Sequence, residues 1–259
     1  MKIAIIGCGV MGSAFAKAWA KEHQVFLIGR DQSKLKALSL SLSAPVVTLE
    51  EGCKAADVIM LGFKPKDLKD ASSQIAPFLS SDKIVISILT GADSALLSSY
   101  LPKAKIVRTM PNLALTISQG IIGVAELQDK ELKKQIQDLL SPLGLVYFLP
   151  ESKMEGFTAL CGSSPAFAFV ILEAMIEAGV SLGFSFNDAK ELVFKVFEGS
   201  IGLLKELKMH PDELKMQISS PGGTTIAGLR EMEKQGVASG IIETMFACYH
   251  KAVEMKKQV

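Results

Sequence analysis

The sequence predicts an α/β fold: a doubly wound parallel sheet flanked by helices over residues 1–150, followed by an all-helical domain over residues 151–259. Three observations carry this. Short apolar runs rich in β-branched residues recur at 3–6, 25–28, 58–61, 84–89 and 106–108, the pattern of strands covered on both faces. Amphipathic stretches alternate with these runs, as they do in a parallel sheet flanked by helices. From Glu151 onward the strand pattern ends, and long stretches with helical spacing take over.

After the first run, Met11, Ala14, Phe15, Ala18 and Trp19 recur at i, i+3, i+4, i+7 and i+8 and make one face of a helix. Leu132, Ile136, Leu139 and Leu140 line one side of a helix near 129–140, and 145–149 reads as a last strand closed by Pro150. In the second half 165–183, 188–207, 224–234 and 238–257 read as helices. Asn187 or Asp188 stands where the second of them needs an N-cap, and Pro211 opens a short helix at the position proline tolerates best. Gly179, Gly183, Gly199 and Gly202 lie in or at the ends of apolar helices. Each costs up to about 1 kcal/mol against alanine, so close helix–helix approach accounts for them. No internal repeat or low-complexity linker separates the halves.

Of the 259 residues, 49% are hydrophobic and 21% charged, the profile of a compact globular chain of one or two domains. With 28 basic and 27 acidic residues there is no electrostatic platform for nucleic acid or an anionic membrane, so the expected partner is a small molecule. Glycines interrupt the apolar start where a signal peptide needs a continuous run. The longest apolar run, 166–172, ends at Glu173 and reads as too short to span a bilayer. Cys8, Cys53, Cys161 and Cys248 are isolated, without a CxxC pair or a histidine at ligand spacing. They read as reduced thiols of a cytoplasmic protein, with no metal and no disulfide.

Gly7-Cys8-Gly9-Val10-Met11-Gly12 fits GxGxxG, directly after a strand and at the start of the helix carrying Trp19. That context belongs to a Rossmann-type dinucleotide site. The first glycine permits a tight turn, the second lets the backbone approach a diphosphate, and the third allows strand and helix to pack closely. The diphosphate then rests on free N–H groups at the positive helix end. A glycine-rich turn that binds nothing is the alternative, and the strand–turn–helix context argues against it. The second strand ends Ile28-Gly29-Arg30-Asp31, with no carboxylate where an NAD site places one for the ribose 2′-hydroxyl. The Arg30 guanidinium suits a 2′-phosphate, so NADPH is the expected cofactor, with NADH possible. In the other reading Asp31 caps a helix and Arg30 is merely solvated. Lys64-Pro65 and Thr90-Gly91 follow strand runs and face the cofactor by topology, or are simply turns.

The helical half contains one loop with chemical promise, Ser219-Ser220-Pro221-Gly222-Gly223-Thr224-Thr225. The N–H groups at the helix start could hold a carboxylate, and a threonine hydroxyl could reach a polar substrate atom. An N-capping hydroxyl on a glycine turn would explain the same residues.

The stretch 219–229, SSPGGTTIAGL, resembles the signature of the pyrroline-5-carboxylate reductase family. Val107-Arg108-Thr109-Met110-Pro111-Asn112 is similar to a second family motif, and 158–183 looks like its TGLSGSGPAY segment with the helix that follows. With the glycine turn and the Lys64-Pro65 pair, the similarity covers nearly the whole chain in order. The resemblance implies NAD(P)H-dependent reduction of a cyclic imine to L-proline, the last step of proline biosynthesis. It also implies an all-helical domain that dimerises by interleaving with its partner, giving a homodimer or a higher homo-oligomer. Carried over by position, Ile6, Gly7, Cys8, Gly9, Val10, Met11 and Lys64-Pro65 contact the cofactor, and Asn112 lies near the nicotinamide end. The backbone at Gly223 and Thr224 holds the substrate carboxylate, within a substrate loop that includes Ser220 and Gly222. The Thr225 hydroxyl bonds the ring nitrogen and is the expected catalytic group. The sequence departs from the family at Ser164 (glycine), Phe167 (tyrosine), Ala114 (proline) and Leu49 (asparagine), which bears on pocket shape and cofactor preference.

A cyclic imine can bind already protonated, so the protein needs to supply placement more than acid–base chemistry. His23, His210 and His250 have no acidic partner at useful spacing and read as solvated or core residues. The β-hydroxyacid dehydrogenases share the domain order but need a general base, for which Lys190 and Lys195 are the helical candidates. A dinucleotide-responsive binding module is the non-enzymatic alternative, and it has no use for the loop at 219–225.

Overall fold

The computed structural model describes residues 1–258. The chain packs as two units, Met1–Pro165 together with the residues from Cys248 onward, and Ala166–Ala247.

In the first unit the order is β1 (Lys2–Ile6), α1 (Val10–Trp19), β2 (Gln24–Ile28), α2 (Gln32–Leu42), α3 (Leu49–Ala55), β3 (Val58–Leu61), α4 (Leu68–Ile75), β4 (Ile84–Ser87) and α5 (Ser94–Tyr100). Then come β5 (Lys105–Pro111), β6 (Gly120–Ala125), α6 (Lys130–Leu140), β7 (Gly144–Leu149) and the single turn α7 (Met154–Phe157). The sheet runs β2-β1-β3-β4-β5-β6-β7. Every neighbouring pair is parallel except β5 and β6. Alternation along each strand divides the core between the two faces. Ile3, Ile5, Leu27, Val58 and Met60 pack on one side with Phe15 and Trp19 of α1, while Ala4, Ile6, Ile28, Ile59 and Leu61 pack on the other with Cys53 and Leu68. Trp19 is 1% exposed, and its Nε1 donates to the Leu139 carbonyl of α6 at 2.8 Å, so its one polar atom is satisfied inside the core.

The five predicted strands and the last one at 145–149 are present, with ends shifted by a few residues. β6 lies in a stretch the sequence left unassigned. Asp31 does cap a helix, accepting from the Lys34 N–H.

Beyond β7 the chain is helical: α8 (Ser164–Ser181), α9 (Phe186–Leu207), α10 (Pro211–Gln217), α11 (Thr224–Lys234) and α12 (Val237–Lys256). The N-cap of α9 is Ser185, two and three residues before the candidates Asn187 and Asp188; its hydroxyl accepts from the Asp188 N–H and donates to the Asp188 carboxylate. Asp188 is therefore the second half of a capping pair. His210 caps α10 through Nδ1, which accepts from the Asp212 N–H at 3.2 Å.

The apolar run at 166–172 is part of a longer element than the sequence indicated. The turn at 151–153, α7 and a π-helical segment at Thr158–Ser163 lead into α8. By length and composition alone, the resulting helical stretch Glu151–Ser181 is long and apolar enough to cross a membrane. Within Ala166–Ala247, Phe169, Val170, Leu192 and Val196 are more than half exposed, as is Phe246 near the unit's end.

Candidate active site

The glycine turn after β1 is built by contacts that admit no side chain. The Gly7 N–H donates to the Ile28 carbonyl at 2.8 Å, and Gly7 has φ +99°, a conformation L-residues rarely adopt. A Cβ at Gly7 would lie 2.7 Å from Gly62 backbone, and one at Gly12 would lie 2.1 Å from the Gly7 carbonyl oxygen. Gly9 differs: nothing lies within 4 Å of an added Cβ. It is the N-cap of α1, with no side-chain capping bond and no acidic residue in the first turn. The helix thus presents unpaired N–H donors and positive dipole to open space, which fits a dinucleotide diphosphate.

Beside the turn is a cavity of about 900 Å³ at the C-terminal ends of β1, β2 and β3. Ile6, Gly7, Gly9, Arg30 and Lys64 of the expected cofactor residues line it. Leu49, which replaces the family's asparagine, lines it too. Cys8 and Met11 pack partly buried against the core under α1, Val10 is exposed, and Pro65 opens a 3-10 turn. Thr48, Gly62, Phe63 and Asp67 also line the cavity, and no sequence motif marks them. The loop position after β3 was the available signal for the last three.

Thr90 lines a second cavity of about 350 Å³, with Met110, Pro111, Thr158, Ser163 and, from α12, Lys251 and Met255. Gly91, at φ +85°, abuts α12: its Cβ would sit 3.0 Å from the Met255 carbonyl oxygen. Asn112 is 8% exposed and lines neither cavity. Its Oδ1 accepts from the Ile121 N–H at 3.0 Å while its own N–H donates to the Ile121 carbonyl, which fastens β5 to β6.

Burial pushes the thiols of Cys8 and Cys53 up to about 11, against a weaker opposing backbone hydrogen bond at Ile28 for Cys8 and the Lys83 charge for Cys53. Both remain protonated at neutral pH. Their folded-state values lie above the unfolded thiol value of 9.0. The unfolded chain therefore loses these protons first, and stability falls as pH rises from about 9 through about 11. Each thiol contributes up to about 2–3 kcal/mol to that fall. Urea midpoints between pH 8 and 11 should decline less steeply in a Cys8→Ala/Cys53→Ala variant than in the parent.

In the unit Ala166–Ala247 the loop at 219–225 precedes α11. The Gly223 N–H closes a turn on the Ser220 carbonyl at 3.1 Å, and Gly222 takes φ +70° with open space beside it. Gly223 is the N-cap of α11, without a side-chain capping bond or a first-turn acid. Capping by a hydroxyl therefore does not explain the loop. Donors free for an anion begin at Thr224, since Gly223 is engaged. Among the described residues neither the Thr224 nor the Thr225 hydroxyl has a hydrogen-bond partner, and Thr225 is half-buried. The rival base candidates are ion-paired: Lys190 lies 3.8 Å from Glu191 and Lys195 3.2 Å from Glu198, the latter pair well exposed.

Comparison with known proteins converges on one family. Residues 151–255 match the family described as pyrroline-5-carboxylate reductase dimerisation, and residues 2–91 match NADP oxidoreductase coenzyme F420-dependent. The pyrroline-5-carboxylate reductase of Corynebacterium melassecola is 34% identical over 98% of each chain. That of Aquifex aeolicus is 31% identical over 98% of this chain and 97% of its own. Among solved structures, the Plasmodium falciparum pyrroline carboxylate reductase with NADP bound superposes with a TM-score of 0.91 at 28% identity, covering 99% of this chain and 98% of the other. The Streptococcus pyogenes enzyme gives 0.88 at 30% identity, covering 97% and 98%. With a dinucleotide turn, an uncapped SPGGTT helix start and full-length relatives above 30% identity, the chain belongs to the pyrroline-5-carboxylate reductase family.

Proposed function

We infer that the protein catalyses the NAD(P)H-dependent reduction of 1-pyrroline-5-carboxylate to L-proline, the last step of proline biosynthesis. Residues 1–150 hold the dinucleotide, and residues 151–259 hold the substrate and a second copy of the chain. The observation that carries the reading is the start of α11: an uncapped helix end beside two threonine hydroxyls without partners among the described residues. An anionic imine is the ligand whose chemistry uses all of these groups.

The bound NAD(P)H supplies the hydride. The N–H groups of Thr224 and Thr225 receive the substrate carboxylate at the positive end of α11. Gly222 leaves open space beside that approach, while a Cβ at Gly223 would stand 2.5 Å from the Ser220 hydroxyl. The Thr225 hydroxyl bonds the imine nitrogen and fixes the face from which its carbon is attacked. It also passes a proton from water when the nitrogen arrives unprotonated. Reacting atoms must come within about 3–3.5 Å, and orientation of this kind supplies much of the rate.

A second copy covers the apolar side chains of α8, α9 and α12. Phe169, Val170, Leu192 and Phe246 are each more than half exposed, and large apolar side chains left open on three helices suit a surface that a partner covers. The same burial accounts for the membrane-like composition of Glu151–Ser181, which carries Glu173 and Glu177 on α8. The four cysteines are free, which suits a reducing cytoplasm.

The test is oxidation of NADPH, followed by its absorbance, with 1-pyrroline-5-carboxylate, set against a panel of 2- and 3-hydroxy acids with NADP+. Turnover should occur with the imine alone. Thr225→Ala should lower kcat/KM by about tenfold to a hundredfold, the worth of one hydrogen bond to a charged group, with the NADPH Kd unchanged. Parental turnover in that variant would remove Thr225 from the mechanism.

A further inference from the structure

The end of β2 lacks the carboxylate that usually receives an adenosine ribose, and the cavity obtains one from another strand. Asp67 lies in the 3-10 turn after β3 and lines the same cavity as Gly7, Gly9 and Arg30. Its Oδ2 stands 3.2 Å from Nη2 of Arg30. The guanidinium that would receive a 2′-phosphate is thus already facing a carboxylate. The other charged side chains lining the cavity are Lys64, Glu51 and Asp70, so the lining carries two positive and three negative groups. Glu51 is engaged locally, since it accepts from the Thr48 N–H and hydroxyl at 2.9 and 2.8 Å.

We propose that Asp67, paired with Arg30, is the coenzyme-specificity determinant of this protein: it weighs against a 2′-phosphate and favours a free ribose 2′-hydroxyl. The inference rests on the reading of this cavity as the dinucleotide site. A 2′-phosphate carries close to two negative charges. To reach Arg30 it must share that cation with the Asp67 carboxylate or displace it. A 2′-hydroxyl meets no such opposition and can donate to the carboxylate as it does in sites with an acid at the end of β2. The Arg30 side chain is 89% exposed, so the ion pair itself is weak, and the discrimination comes from repulsion between carboxylate and phosphate. Screened by water at so exposed a place, that repulsion at contact distance is worth about a tenfold change in affinity.

The experiment measures Kd for NADPH and for NADH by nicotinamide fluorescence, using the full chain. Asp67→Asn should shift the ratio of the two constants towards NADPH by about tenfold. In an Arg30→Gln background the same substitution should shift it by less than threefold, because the cation that draws the phosphate beside Asp67 is gone. Asp70→Asn, which removes a charge from the same lining but breaks no ion pair among the described residues, should also shift it by less than threefold. A ratio within twofold of the parent in Asp67→Asn overturns the proposal, as does an equal shift in Asp70→Asn. Turnover of 1-pyrroline-5-carboxylate is followed on the same samples. Loss of turnover with the binding shifts intact strikes the proposed reaction and leaves the specificity assignment standing.

Discussion

Replacing Arg108 by methionine should destabilise the fold by about 3–5 kcal/mol, the cost of breaking a buried ion pair from one side. Arg108 sits on β5 at 2% exposure. Its Nη1 donates to Glu151 and its Nη2 to Glu155 at 3.0 Å, and Glu155 is itself 6% exposed. Glu151 is further held by the Ser94 hydroxyl at 2.7 Å. Without the guanidinium, the Glu155 carboxylate is left buried with no cation among the described residues. Methionine fills most of the volume, so the loss reports charge and not a cavity. The double variant Arg108→Met/Glu155→Gln should recover more than half of it, since a neutral pair in the same place carries no desolvated charge. Urea midpoints at fixed protein concentration measure both, because a homo-oligomer's apparent stability depends on concentration. A single variant within 1 kcal/mol of the parent would show that the network is not holding β5 to the segment at 151–155. The network also borders the smaller cavity. Ser94 lies just beyond Thr90, and Glu155 just before Thr158, and both threonines line the smaller cavity.

Neither this network nor β6 could be read from the chain alone, and the reasons are physical. The run Gly120–Ala125 is apolar but broken by Gly120 and Gly123, residues that weaken any local strand signal. Both glycines answer to neighbours outside the strand, and that of Gly123 is distant in sequence. A Cβ at Gly123 would lie 2.6 Å from the Phe157 ring, and one at Gly120 would meet Leu115 at the same distance. Nothing within six residues announces Phe157. Arg108 was visible in the motif VRTMPN, yet its partners lie 43 and 47 residues away. By contrast, the parallel strands β1 to β5 are short runs rich in β-branched residues, whose burial on both faces leaves a signature in most of their residues. The start of α11 was equally legible, because SPGGTT joins a glycine turn to a helix-opening pair of threonines within six positions. In the larger cavity, the glycine turn was plain, whereas Asp67 became visible only when β3 brought its loop beside the end of β2.

The glycine turn itself permits a sharper test than sequence matching, since its glycines serve different ends. Gly12→Ala should cost about 3 kcal/mol or more, at the upper end of overpacking, and should weaken dinucleotide binding more than a hundredfold. Its Cβ would lie 2.1 Å from the Gly7 carbonyl oxygen, a backbone atom that cannot swing aside. Moving Gly7 is also blocked, because a Cβ there already stands 2.7 Å from Gly62 backbone. Strand β1, helix α1 and the loop after β3 therefore meet at three glycines, and a methyl at Gly12 forces them apart. Gly9→Ala should behave otherwise. At φ −72° alanine is unstrained, and the methyl meets nothing within 4 Å, so the urea midpoint should stay within about 0.5 kcal/mol of the parent. Yet that empty space is where a diphosphate must approach the first N–H groups of α1, so binding should still fall at least tenfold. Loss of stability in Gly12→Ala with loss of affinity alone in Gly9→Ala separates packing from recognition within one hexapeptide. If instead Gly9→Ala binds NADPH and NADH as the parent does, the diphosphate does not sit on α1, and the cavity beside it has lost its claim to the cofactor.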